Sequence, residues 1–244
     1  MSKPDATLPI SSPRAAFWLG AREAARVPMA VMAASFLGFG TLIRDLDWSV
    51  WLGVYSTIST WALPGQIAMA EMAARGAPLA SMVLAVAFIN ARLMPMVASL
   101  LPQVRRPGMS LVVQYAAAMI IAATTWAGVM RRLPDLRTEV RFAYLTGYGG
   151  ALYAMSPFAT AAGYFLADHV AREVAMGLVF LNPLYFMLLF LAGPGNTGRW
   201  LALGFGAALG PMLYTILPDW SLVLTGLLGG TAAWLIGRRR ARHG

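Results

Sequence analysis

The chain has 244 residues, 59% of them hydrophobic and only 12% charged, where soluble domains carry roughly 25% charged residues. That balance excludes an ordinary soluble domain and describes an integral membrane protein. The formal net charge is +9, but the basic residues stand between apolar segments with no basic–aromatic interleaving, so they read as topology signals facing anionic lipid and not as a nucleic-acid surface.

The first sixteen residues are polar, carry three prolines, and lack the apolar core and small-residue cleavage site of a signal peptide. They are expected to be a disordered cytoplasmic tail. The organisation predicted is a tail over 1–26, a transmembrane domain over 27–237 and a basic tail over 238–244.

The first apolar run is Val27 to Ile43, with Pro28 acceptable in its first turn. Its Gly38-x-Gly40 and Ala33-Ala34-Ser35 are small residues suited to close helix contact. Span two follows from Val50 to Ala73 and is interrupted at Leu63-Pro64-Gly65-Gln66. Span three, Pro78 to Leu101, carries Asn90 and Arg92 within an apolar run. Proline removes a backbone donor and glycine relaxes the chain, and such breaks survive in a bilayer only where protein or a water-filled cavity satisfies the freed groups. An arginine at membrane depth costs at least ~2.5–3.5 kcal/mol on insertion scales and faces a bundle interior or a polar pathway. The broken span and the buried cation together are the strongest functional signal in the chain.

Span four is read at Leu111 to Met130, span five at Phe142 to Leu166 with Ser156-Pro157 inside it, and span six at Val174 to Ala192 with Asn182-Pro183 near its middle. Trp200 to Leu217 and Trp220 to Ile236 follow as spans seven and eight, the last two being short enough that one re-entrant hairpin competes with them. The fold class is therefore all-α, a polytopic transmembrane helical bundle of about eight spans. Eight spans put Lys3, Arg14, Arg22, Arg26, Arg75, Arg131, Arg132, Arg137, Arg141, Arg199 and the arginines from Arg238 to Arg242 on the side of the termini. They leave Arg44, Arg105, Arg106 and Arg172 opposite. The positive-inside rule then places both termini in the cytoplasm.

Phe88-Ile89-Asn90 is echoed by Phe180-Leu181-Asn182, Leu63-Pro64 by Ser156-Pro157, and Arg44 to Asp47 by Arg132 to Asp135. Short matches also arise by chance in apolar sequence. Read as a repeat, they give an inverted three-plus-three arrangement with two extra C-terminal spans, and inverted repeats with matching breaks mark a transporter's binding site at the midplane.

Several residues are candidates for a substrate site. Gln66 either adds a donor or acceptor beside the broken helix or satisfies the carbonyls that Pro64 frees. Asn90 and Arg92 are two apart and cannot share a helix face. Arg92 has no carboxylate in its own span, which leaves backbone carbonyls, a polar cavity or an anionic substrate group as its partner. Thr125, Tyr153 and Asn182 are uncharged polar groups at depth, each an interhelical hydrogen bond or a ligand. Glu71 and Arg75 have the acid-first spacing of a helix-surface pair. Cysteine is absent and His169 and His243 have no ligand neighbours, so no metal or cofactor is expected. The spans hold no catalytic triad and no paired carboxylates, so an enzyme is not expected.

On these residues the chain resembles the AzlC family, the large subunit of bacterial branched-chain amino-acid exporters. The resemblance runs from Gly38-Phe39-Gly40 through Pro64-Gly65-Gln66, where the family has a small-residue pair before the glutamine. It continues through Asn90-Ala91-Arg92, at the family's Asn-x-Arg-His, to the run from Gly177 to Leu189 with its Pro183. Two departures stand out: Leu93 replaces the histidine, and the region around Thr125-Trp126 lacks the Asp-Glu pair that many members carry in span four. The resemblance implies a small four-span AzlD-type partner in the bacterial inner membrane and efflux of branched-chain or other small apolar amino acids. A proton is the expected coupling ion. The rival readings are a non-transporting assembly or scaffold subunit and a channel for small neutral solutes, which needs no coupling acid.

Overall fold

The computed structural model describes residues 12–192, 197–216 and 221–240, and every regular element among them is helical. The chain forms two compact units, Met1–Phe186 and Met187–Gly244. Part of the expected polar tail is structured: α1 (Pro13–Ala24) opens on a proline and buries Ala16, Gly20 and Ala24. It lies against α9 (Thr138–Leu166) closely enough that a Cβ on Gly20 would collide with the Tyr144 carbonyl, and one on Gly147 with the Phe17 carbonyl.

α2 (Val27–Asp45) packs on the other half of α9 in the same manner, Gly40 on the Thr160 carbonyl and Gly163 on the Leu37 carbonyl. Gly38 faces α10 (Arg172–Ala192), where a Cβ would stand 2.7 Å from the Ala175 carbonyl oxygen. The Gly38-x-Gly40 pair is thus the close-contact surface its residue types suggest. α2 and α9 run the same way: Gly40 meets residues 160–164, and one turn further Arg44 lies over the Tyr164 ring and pairs with Asp168 at 3.5 Å. α10 runs the opposite way, since Gly38 meets Ala175 while Ser35 donates to the Leu178 carbonyl at 3.2 Å.

Segment two does not cross. It consists of α3 (Val50–Thr60) and α4 (Leu63–Ala74), and Gln66 Nε2 donates to Ser56 Oγ and Thr57 Oγ1, both at 3.1 Å. Nine or ten residues of straight helix would hold those groups about 14 Å apart, so the chain has turned back. α3 descends along α2, with Gly53 against Ile43 and Trp61 beside Phe36. α4 climbs α2 again: Leu63 and Pro64 stand with Met32 and Ser35, then Ile67 and Glu71 with Gly38, Leu42 and Asp45. Each arm has 11 or 12 residues, which spans roughly half of a ~30 Å hydrocarbon core.

Segment three continues in one direction, as α5 (Leu79–Ala91) and α6 (Leu93–Val104), bent by 46° at Arg92, and the pair together is long and apolar enough to cross a membrane. It ends beside the start of α9, where Arg106 Nη2 donates to the Glu139 carbonyl at 2.9 Å. Segment four then folds back in its turn. α7 (Leu111–Met119) rises to Ile120, whose carbonyl lies 2.8 Å from a Cβ built on Gly149, and the chain turns by 106° into α8 (Ala123–Arg132). α8 descends beside α6: Trp126 Nε1 donates to Ser99 Oγ at 2.9 Å, and Gln103 Nε2 to Met130 Sδ at 3.4 Å. Arg132 closes the hairpin at the α9 start by pairing with Glu23 at 3.5 Å, and the Tyr144 hydroxyl donates to the same carboxylate.

The unit Met1–Phe186 is therefore built from the long helices α2 and α9, the bent pair α5–α6, the first part of α10 and two hairpins that turn back from opposite ends. By length and hydropathy α2 is a membrane span, and α5–α6 is one when the bent pair is taken together. Hydropathy cannot tell two apolar half-helices that continue from two that double back, which is why segments two and four read as crossings. The correction moves charge. Arg75 lies at the Asp45 end, while Arg105 and Arg106 join Arg131, Arg132, Arg137 and Arg141 at the α9 start, the reverse of the eight-crossing expectation. The asymmetry of arginine between the two ends sharpens as a result.

The fold also revises the repeat. Segment two is matched in kind by segment four, not by segment five, because α9 is continuous through Pro157 and α10 through Pro183. Single cysteines test the hairpins in this cysteine-free chain. Asp45→Cys and Ala74→Cys are expected to react with an impermeant thiol reagent from one side, and Arg105→Cys from the other. Straight crossings would instead pair Asp45 with Arg105.

The second unit is described by itself. α11 (Thr197–Ile216) and α12 (Ser221–Arg240) are 20 residues each and form an antiparallel pair. Gly229 faces Phe205 Cβ and Gly210 faces Thr225 Cγ2. Each is about 30 Å long, but its apolar part, Trp200–Ile216 in one and Leu224–Gly237 in the other, is shorter than a full span.

Candidate functional site

The α3–α4 hairpin turns at Trp61 and Ala62, two residues before Pro64, and Pro64 then serves as a first-turn proline of α4. Trp61 sits in the left-handed region with φ 39°, which costs a residue with a Cβ about 1–2 kcal/mol. Contacts with α9 hold it there: Trp61 Nε1 donates to Ser156 Oγ at 2.9 Å, and its ring meets Tyr153 edge-on at 5.3 Å. Tyr153 in turn donates to the Ile58 carbonyl at 2.6 Å. Pro157, next to Ser156, lies inside the continuous α9 and breaks nothing.

Gln66 is wholly buried and its amide nitrogen joins the two arms, while Thr57 Oγ1 bonds Thr160 Oγ1 at 3.0 Å. The Gln66 Oε1 acceptor is buried with no protein partner. Asn90, near the end of α5, presses its amide on the first turn of α4, where a Cβ on Gly65 would lie 2.8 Å from Asn90 Oδ1. Asn90 Oδ1 is likewise buried and unpartnered. Gly65→Val is therefore expected to push α4 off α5 and lower the folded yield, while Gly76→Ala, at a loop position where a Cβ meets nothing but φ is +70°, should cost only local strain of about 1 kcal/mol. Folded fractions by detergent gel filtration compare them, and equal yields would remove Asn90 from the packing of the tip.

Both hairpin tips reach one small cavity of about 30 Å³. Leu63 and Pro64 line it from one hairpin and Ala122, Ala123 and Thr124 from the other, together with Ser35, Phe36 and Arg92. α4 and α8 both begin there, and neither has a side-chain cap, their N-cap residues being Ala62 and Ala122. First-turn amides without caps carry the positive end of a helix dipole and favour an anion. Arg92 stands at the α5–α6 junction, where it is exposed and not the buried cation expected from its apolar run, and no ion pair or side-chain hydrogen bond reaches its guanidinium among the described residues. Arg92 also lines a second cavity, of about 450 Å³, between α4 and α10.

The remaining candidates are placed as follows. Thr125 is fully buried in the first turn of α8, its Oγ1 unpartnered and its methyl against Gly149. Tyr153 supports the tip from α9 and lines neither cavity. The side chain of Asn182 lies outside the described residues; its neighbours Val179, Phe180 and Pro183 line the larger cavity. Arg92 thus stands with the two tips, while the buried Gln66 and Thr125 and the half-buried Asn90 and Tyr153 lie in or against the hairpins. Sequence reasoning missed Trp61, Ala122 and Ala123. A tryptophan followed by Ala-Leu-Pro was a readable signal, but the Ile120–Ala122 break contains neither glycine nor proline.

An apolar helical bundle whose two hairpin tips meet a cation with no ion-pair partner among the described residues has the build of a membrane transporter. The chain belongs to the AzlC family: the family model described as AzlC protein matches residues 28–170, which hold both hairpins, the α5–α6 crossing and α9. No curated protein and no solved structure matches the chain.

Proposed function

We propose that this chain is the large subunit of a two-component exporter of branched-chain or other small apolar amino acids. The observation that carries the reading is the Arg92 guanidinium, without an ion pair among the described residues, beside the uncapped starts of α4 and α8. A carboxylate matches all three, because the guanidinium is a rigid fork of donors and the helix starts offer amides. The apolar wall of the 450 Å³ cavity suits an aliphatic side chain. In this reading the arginine-rich end faces the cytoplasm of a bacterial inner membrane, and a small four-span AzlD-type subunit completes the exporter. Proton coupling is the accompanying reading, with Asp45 and Glu71 the acids nearest the outer route.

Cells loaded with labelled leucine test it. Expression of the chain with its small partner is expected to speed leucine efflux severalfold, and expression of either alone to do less. Efflux equal to that of empty cells in every combination would leave an assembly or scaffold role, and efflux of neutral non-zwitterionic solutes at the same rate would indicate a channel.

A further inference from the structure

The cavity at Arg92 does not end there. A second cavity, of about 220 Å³, adjoins it and is lined by Gly38, Thr41 and Asp45 of α2. The two share Ile67, Glu71, Met176 and Val179, so they run along one wall between α4 and α10. Pro64 marks the inner end, and Glu71 stands seven residues further along α4, a rise of about 10 Å toward the Asp45 end. Arg92 and Glu71 are the charged groups lining the larger cavity, one of each sign, and the rest of its wall is apolar.

A zwitterion moving along such a wall needs a counter-charge for each of its own groups, because an unpaired ammonium in an apolar cavity is strongly disfavoured. Glu71 is available for that task. Its pair with Arg75 is 3.9 Å long, with both side chains more than half exposed, and exposed pairs of this kind hold their partners weakly.

We propose that Glu71 receives the ammonium group of the substrate whose carboxylate Arg92 attracts, and that Ile67, Met176 and Phe180 form the surface that selects an apolar side chain. The inference rests on the exporter reading and deepens it. It makes the amine, and not the carboxylate alone, a requirement of transport. It also makes Glu71 a specificity-determining residue although it lies away from the tips.

The test uses proteoliposomes carrying the full chain with its partner subunit. They are loaded with labelled leucine or with the corresponding oxo acid, which keeps the carboxylate and the apolar chain but lacks the ammonium. Wild type is expected to release leucine faster than the oxo acid. Glu71→Gln should lower leucine release about tenfold, the effect of losing one hydrogen bond to a charged group, and leave oxo-acid release unchanged or raised, so that the preference disappears. Arg75→Gln should release leucine like wild type. The proposal is overturned if Glu71→Gln at equal protein level lowers both compounds alike or neither, or if Arg75→Gln reproduces its effect, which would make Glu71 a structural partner of Arg75. Wild-type vesicles that release neither compound would overturn the exporter reading itself, and this proposal with it.

Discussion

Arg92→Met is expected to stop amino-acid transport, lowering it by about a hundredfold or more in a chain that still reaches the membrane. Arg92 is exposed in the free chain, but in the exporter reading the bound carboxylate and cavity wall desolvate the pair. Removing one member of such a pair costs about 2–5 kcal/mol, and each 1.4 kcal/mol is about tenfold. Methionine keeps the length and apolar stem of the side chain, so the wall of the cavity is preserved while the charge goes. Arg92→Lys retains the charge without the planar fork and should fall between the two, about tenfold below wild type. Arg92 makes no ion pair or side-chain hydrogen bond with the described residues, so its removal breaks no interaction that stabilises the fold. Leucine efflux measured against protein level decides the matter. If Arg92→Met is as abundant as wild type and transports as fast, the arginine is packing and the carboxylate binds elsewhere.

The second large effect is on folding. Gly163→Leu should abolish or severely reduce the folded protein, because the first atom it adds falls on the backbone of Leu37 in α2. A backbone carbonyl cannot rotate away as the end of a side chain can, so the two helices must separate along their length. Overpacking costs typically about 1–3 kcal/mol where side chains can adjust, and more where they cannot. Gly40→Leu meets the Thr160 carbonyl from the other side of the same contact and should behave alike. Gly150, on the same helix as Gly163, faces open space: a Cβ placed there would have no atom within 4 Å. Gly150→Ala should therefore be tolerated or stabilise by about 0.5–1 kcal/mol through helix propensity. Thermal unfolding in detergent compares the three, and a Gly163→Leu protein that melts with wild type would mean that α2 and α9 do not meet at this point.

The sequence was informative where composition and single residues decide the outcome. Charge and hydropathy gave the helical membrane class, the small pair Gly38-x-Gly40 gave the close crossing, and the isolation of Arg92 among apolar residues marked the residue that stands with both tips. Folding back was not legible, because α3–α4 and α7–α8 each total about as many apolar residues as one crossing. Proline misled in both directions. Pro64 opens a helix instead of breaking one, Pro157 and Pro183 sit inside continuous helices, and the second tip at Ile120–Ala122 has no proline at all. The arginine count assigned Arg75 and Arg105 to the wrong ends of the bundle, since each hairpin reverses the parity of the loops that follow it.

Two hairpins that each reach half-way leave a thin partition. In the exporter reading the barrier between them narrows to the residues around Trp61, Arg92 and Ala122, which line the small cavity where the tips meet. An electric potential falls where water is excluded, so in a polarised membrane much of the voltage would drop across that short stretch and little along the wider cavity beside it. One elementary charge carried through 100 mV amounts to about 2.3 kcal/mol, and here that work would be done over a few ångströms. A zwitterion with no net charge passes such a partition without electrical work, whereas any proton that accompanies it does not. Current recorded during efflux would thus count the ions that travel with the cargo.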